Sequence, residues 1–246
     1  MTNDIQPPFY SNPVRLDRSR HGDCAIRLDQ RFAYSKGINA VPVNLVEMPR
    51  LCHEYPIAFS PNEAATPVAI LGLRTSENLF VEDTGEWPAN TYIPAYVRRY
   101  PFIFADDPVA RQLTLCIDEA ALYKETGEAY ERLFTEDGNP TPLTQGAMEF
   151  CQSYFKAAQE TQVFCQVLAA SGLLKPLEAV FQNDERRLTF REFQVIDEER
   201  FNQADDDAFL EWRQKGWLPA IYAHLFSQSR WDRLGELLQQ RLDVSS

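Results

Sequence analysis

Residues 141–172 read TPLTQGAMEFCQSYFKAAQETQVFCQVLAASG. Within them Leu143, Met148, Cys151, Tyr154, Phe155, Ala158, Val163, Val167 and Leu168 recur at three- and four-residue intervals. That spacing lays apolar side chains along one face of a helix. Thr141 offers an N-cap oxygen, Pro142 suits the first helical position, where its missing N–H costs nothing, and Gly172 stands where a left-handed C-cap residue is expected. No proline interrupts until Pro176, so the stretch predicts one long helix.

The chain on either side has a different texture. Most of the 16 prolines precede residue 143, where elements must be short and bounded by turns. Residues 67–74 predict a buried strand. Ser76-Glu77-Asn78 supplies a turn, Leu79-Phe80-Val81 returns as the partner strand, and Asp83-Thr84-Gly85 makes the next turn. Residues 98–104 and 113–117 predict two more strands, the second from the alternation of Leu113, Leu115 and Ile117 with Thr114 and Cys116. After the long helix, residues 188–195 predict a strand with a bulge between Arg191 and Glu192. Helices are expected over 197–203, 205–215, 217–227 and 229–242, with Asp205-Asp206-Asp207 at a helix start, where negative charge offsets the dipole. The fold class expected is α+β: a curved, mainly antiparallel sheet from residues 1–140, packed against the long helix and a C-terminal helical segment in 141–246. No polar or glycine-rich linker divides the halves, so a single domain spanning 1–246 is expected.

Composition limits the function classes. The 246 residues carry 24 Lys and Arg against 36 Asp and Glu, a net charge of −12. Such a balance argues against nucleic acid or an anionic membrane surface as a partner. No apolar run approaches the roughly 20 residues of a membrane span, and residues 1–20 lack the apolar core of an export signal, so a cytoplasmic protein is expected. The five cysteines, Cys24, Cys52, Cys116, Cys151 and Cys165, form no CxxC pair and sit in apolar neighbourhoods, which reads as free buried thiols. Nucleotide-loop, nucleophile-elbow and zinc-protease motifs are absent.

Three stretches taken together resemble one known family. They are Glu54-Tyr55-Pro56-Ile57-Ala58-Phe59; Leu71-Gly72-Leu73 with Glu77-Asn78-Leu79-Phe80-Val81 and Gly85-Glu86-Trp87; and Tyr92 through Phe102, which reads YIPAYVRRYPF. With Phe193 through Glu198 and the run from Gly216-Trp217-Leu218 to Ser227, this pattern is similar to the SapC family of bacterial proteins. The family takes its name from a protein linked to a bacterial surface layer. The resemblance implies no particular reaction. It does imply a setting, because members are often encoded beside TonB-dependent receptors, tryptophan-halogenase-like proteins and cupin-like proteins, as in a shared pathway that handles an imported or modified substrate.

Two constellations could carry function. Arg98 and Arg99 sit in an aromatic-rich segment of an acidic protein. One guanidinium could grip a carboxylate or phosphate in bidentate fashion between walls made by Trp87, Tyr92, Tyr96 and Tyr100, or it could pair with Glu47, Glu54 or Glu77 to lock the fold. If the segment is a strand, the two arginines face opposite sides. The other constellation is His21-Gly22-Asp23 with a distant His224, the form of a two-histidine, one-carboxylate iron site; the same histidines could instead be buried and hydrogen-bonded. The first gives a non-catalytic binding or accessory protein that needs no cofactor and holds a protein partner segment or an anionic small molecule. The second gives a non-haem iron (Fe) oxygenase acting on an amino-acid or peptide substrate. Trp212, Trp217, Tyr222, Phe226 and Trp231 are core residues or the surface of a homodimer.

Overall fold

A computed structural model of the chain describes residues 7–28, 31–107, 112–125, 127–182 and 187–244. In chain order the elements are β1 (Pro13–Arg15), α1 (Arg18–His21), β2 (Ala25–Arg27), β3 (Ala40–Pro42), α2 (Met48–Leu51), β4 (Ile57–Phe59), β5 (Pro67–Ile70), α3 (Ala95–Arg98), β6 (Phe102–Asp107), β7 (Gln112–Asp118) and β8 (Tyr130–Arg132). There follow α4 (Pro142–Ala170), β9 (Leu174–Pro176), β10 (Ala179–Gln182), β11 (Arg187–Phe190), β12 (Gln194–Ile196), α5 (Glu198–Asn202), α6 (Asp206–Gln214), α7 (Leu218–Ser227) and α8 (Arg230–Val244). The class is α+β, and every strand pairing among the described residues is antiparallel. No helix among the described residues is long and apolar enough to cross a membrane.

The long helix starts and stops where its sequence dictates. Thr141 Oγ1 accepts from the Thr144 N–H, Pro142 fills the first turn, and Gly172 adopts φ +69° just past the end. One face buries Cys151, Phe164, Cys165 and Leu168. Asp197 and Asp205 cap α5 and α6 in the same way, and the latter accounts for the acidic run at 205–207.

The largest sheet has strand order β3-β5-β4-β12-β9. All residues of β4 and β5 are buried, which explains why their sequences run continuously apolar rather than alternating. The sheet is not confined to the first 140 residues, because β12 and β9 come from beyond α4, β12 pairing with β4 and β9 with β12. Ser227 at the end of α7 accepts from the Ile57 N–H (3.0 Å), and Gln228 donates to the Ile57 carbonyl (3.0 Å), so the C-terminal helices are tied to the same strand. A second sheet, β1-β7-β6, carries α4 across β6, and two further pairs are β2-β8 and β10-β11.

Three strand predictions fail for identifiable reasons. Leu79-Phe80-Val81 is buried but is not a strand: Arg241 of α8 donates to the Asn78 and Val81 carbonyls, and the Asn78 side chain bonds the Phe80 N–H, which occupies the edge a partner would need. Residues 188–195 are not one bulged strand but two strands in different sheets, with residues 191–193 crossing between them. Residues 98–104 divide into the helical turn α3, a cis Tyr100–Pro101 bond and β6. Trp212, Trp217 and Trp231 are buried in the core, whereas Tyr222 and Phe226 stack on each other at the surface.

Candidate functional site

The turn carrying Arg98 and Arg99 exists because a carboxylate from far up the chain caps it. Glu47 is 3% exposed, and its Oε2 accepts from the Ala95 N–H (2.9 Å), the first free donor of α3 after Pro94. Its Oε1 accepts from the Asn44 N–H (3.0 Å) and Oε2 also accepts from the Tyr92 hydroxyl (3.2 Å). Burial pushes the Glu47 carboxyl above its usual range, while these donors and the nearby Arg98 charge oppose that rise.

The Tyr92 hydroxyl passes the arrangement outward. It accepts from Arg98 Nη2 (3.1 Å), while Arg98 Nε donates to the Ile93 carbonyl (3.0 Å). The Arg98 guanidinium lies over the rings of Tyr92 (5.3 Å) and Phe150 (5.2 Å). Arg98 is therefore exposed yet held in one orientation, which lowers the entropy lost when it takes up a ligand.

Arg99 points inward. Its guanidinium sits 4.1 Å from the Tyr96 centroid, 4.6 Å from Tyr154 and 5.6 Å from Tyr10. Nε is buried with no hydrogen-bond partner, and among the described residues no carboxylate lies within 4 Å of the group. Burial pushes the Tyr10, Tyr96 and Tyr154 phenols up despite the neighbouring cation, so all three are neutral at pH 7. The arrangement is a cation in a neutral aromatic cage. It opens on a pocket of about 480 Å³ lined by Arg98, Arg99, Tyr100, Phe102, Leu143 and Phe150, among others. Tyr100 forms its wall by stacking on Tyr34 (4.1 Å between centroids).

The sequence model of the SapC family matches residues 16–234, nearly the whole chain. The chain belongs to the SapC family. Searches of the curated proteins and of the solved structures find no match.

Within this SapC-family chain the expected groove residues take different places. Arg98, Arg99 and Tyr100 line the pocket; Tyr92 supports Arg98, and Tyr96 lies against Arg99. Trp87 is not a wall of it: the side chain is buried, donates from Nε1 to the Tyr55 hydroxyl (3.0 Å) and packs edge-on to Phe32. Because α3 is a helical turn, the two arginines diverge by about 100° instead of facing opposite sides of a sheet. Of the acidic partners anticipated for them, Glu54 pairs with Arg233 and Glu77 with Arg74, which leaves Glu47 acting through Tyr92. Tyr10, Tyr34, Phe150 and Tyr154 were not legible as site residues. The 143–154 periodicity could have pointed to Phe150 and Tyr154, but nothing local marks Tyr10.

The iron-ligand set is not assembled. His21 Nδ1 accepts from the Asp17 N–H (3.0 Å) and Nε2 lies 3.4 Å from Glu119. Asp23 pairs with Lys124 (3.0 Å). His224 is fully buried against Phe59, and its Nε2 accepts from the Ile196 N–H (3.0 Å). Among the described residues no group of three or more His, Cys, Asp or Glu side chains could hold a metal ion. His21, Asp23 and His224 thus do not fit an iron centre. All five cysteines are free and buried.

Proposed function

We propose that this SapC-family protein is a binding protein that takes up an anionic small molecule, with Arg98 and Arg99 holding the anionic group. The observation that carries this reading is Arg99, a half-buried guanidinium whose enclosed Nε is unmatched and which has no carboxylate within 4 Å among the described residues, facing a pocket. A fully buried charge without a counter-ion costs several kcal/mol, and a half-buried one bears part of that cost. Aromatic faces return roughly 0.5–2 kcal/mol each, and a bound anion would supply the remainder. The groups around the pocket suit holding better than turnover. The phenols are neutral, and burial pushes the Cys151 thiol up to about 11, so neither is an activated nucleophile.

The test is native mass spectrometry of the full chain purified gently from its host, beside Arg99→Met, which keeps the stem and removes the charge. The reading expects a retained organic anion in the parent protein, lost in R99M. It also expects a melting temperature for R99M equal to or above the parent's, because replacing a partly desolvated charge by an apolar group removes a desolvation cost. The same adduct in both proteins, or no adduct together with a large loss of stability in R99M, would overturn it and make Arg99 structural. Retention of a protein segment instead of a small molecule would overturn the ligand class.

A further inference from the structure

The pocket beside Arg99 has a smaller neighbour on the other side of the guanidinium. Along α4, Leu143, Ala147 and Phe150 line the pocket described above, and the next turns, Cys151, Tyr154, Phe155 and Ala158, line a second chamber of about 170 Å³. On the facing strand, Phe102 borders the first space and Phe104 the second, two residues on and therefore on the same side of β6. Arg99 borders both. The two spaces thus follow one another along about 22 Å of α4, on either side of one guanidinium.

The two ends differ in chemistry. Arg27 and Arg98 join Arg99 around the outer pocket, whereas among the described residues the inner chamber is lined by Arg99 with Phe104, Phe155, Ala158, the Cys151 thiol and Tyr154. Phe104 and Phe155 are only half-buried, so apolar surface there lacks cover. Building on the anion-binding reading of Arg98 and Arg99, we infer that the ligand is an organic carboxylate whose apolar end fills this inner chamber. The carboxylate lies on the outer face of Arg99, and the apolar body passes the guanidinium into the space behind it. An apolar cavity of about 150 Å³ accommodates a benzene ring. A chamber of about 170 Å³ accordingly sets the apolar end at roughly six carbons, as a ring or a short chain.

The experiment titrates the full chain with acetate, butyrate, hexanoate, octanoate and decanoate by NMR, which reads weak binding. Affinity is expected to rise about fourfold per methylene up to hexanoate or octanoate and then level off. Ala158→Phe, which fills the chamber, removes the dependence on length, so that hexanoate and octanoate gain little over acetate. Phe104→Ala, which enlarges it, moves the plateau to longer chains. Binding that is lost in R99M but independent of chain length, or a plateau that neither chamber variant moves, would overturn the inference and leave the anion site standing. Binding of no carboxylate, or equal binding by R99M, would overturn the anion site itself.

Discussion

Acidifying the protein from pH 7 to pH 4.5 is expected to cost it roughly 2–3 kcal/mol of stability through one side chain, His224. The imidazole is fully buried against Phe59 of β4, its Nε2 accepts from the Ile196 N–H of β12, and burial holds its pKa at about 3 against an ordinary value of 6.5. The folded value is the lower one. As pH falls below 6.5 the unfolded chain takes up the proton and the folded chain does not, so stability declines until the folded pKa is reached. Each pH unit in that window is worth about 1.4 kcal/mol, and two units fall between 6.5 and 4.5. Against a typical total of about 5–15 kcal/mol, that loss is large. Glu47 works in the opposite sense: burial raises its folded pKa, so the folded state binds the extra proton and gains stability as pH falls through its own window above 4.5. Asp197, held low chiefly by the N–H and Lys175 bonds that outweigh burial, loses its contribution only below pH 4. The assay is urea unfolding at pH 7.5, 6.5, 5.5 and 4.5 for the parent and for His224→Gln, whose amide oxygen can accept from Ile196 without titrating. The variant is expected to start about 1–2 kcal/mol less stable and to show a much flatter pH slope. Parallel slopes for the two proteins would refute the assignment to His224.

Two further variants test the support of the site. Glu47→Gln leaves one acceptor oxygen where the carboxylate's two now serve Asn44, Tyr92 and Ala95. It is expected to cost about 2–3 kcal/mol in chemical denaturation and, by releasing Tyr92 and Arg98, to weaken benzoate binding severalfold in calorimetry. Gly146 lies inside α4 on the pocket wall, and a Cβ there would meet nothing within 4 Å. Gly146→Ala is expected to raise stability by about 1 kcal/mol in thermal unfolding, while Gly146→Leu, reaching into the pocket, should weaken benzoate binding at unchanged or higher stability.

Elements whose signals are local were legible in the sequence. Thr141, Pro142 and Gly172 bound α4 and the spacing between them sets its buried face; Asp197 and Asp205 mark α5 and α6 by the same capping chemistry. What was not legible depends on residues distant in sequence. The segment around Arg98 looks like a strand from its aromatic and β-branched content, yet Pro94 and the carboxylate of Glu47 make it a helical turn. Leu79-Phe80-Val81 looks like a strand as well, until Arg241 claims its carbonyls. The site divides along the same line. The adjacent arginines and Tyr100 stood out as a dense motif, whereas the cage around Arg99 needs Tyr10 from the N-terminal segment and Tyr154 from α4, which only the fold brings together. The histidines mimicked an iron motif because a pattern of residue types carries no information about which backbone N–H each ring will meet.

The most direct measurement is a crystal structure of the full chain soaked with 4-bromobenzoate, whose bromine can be located by its anomalous signal. The expected result places the carboxylate within hydrogen-bonding distance of the Arg99 guanidinium, with Arg98 beside it, and the bromine in the chamber bordered by Phe104, Phe155 and Ala158. A bromine peak elsewhere on the molecule, or none at a soak concentration that saturates the protein in solution, would contradict the assignment of this cleft as an organic-anion site.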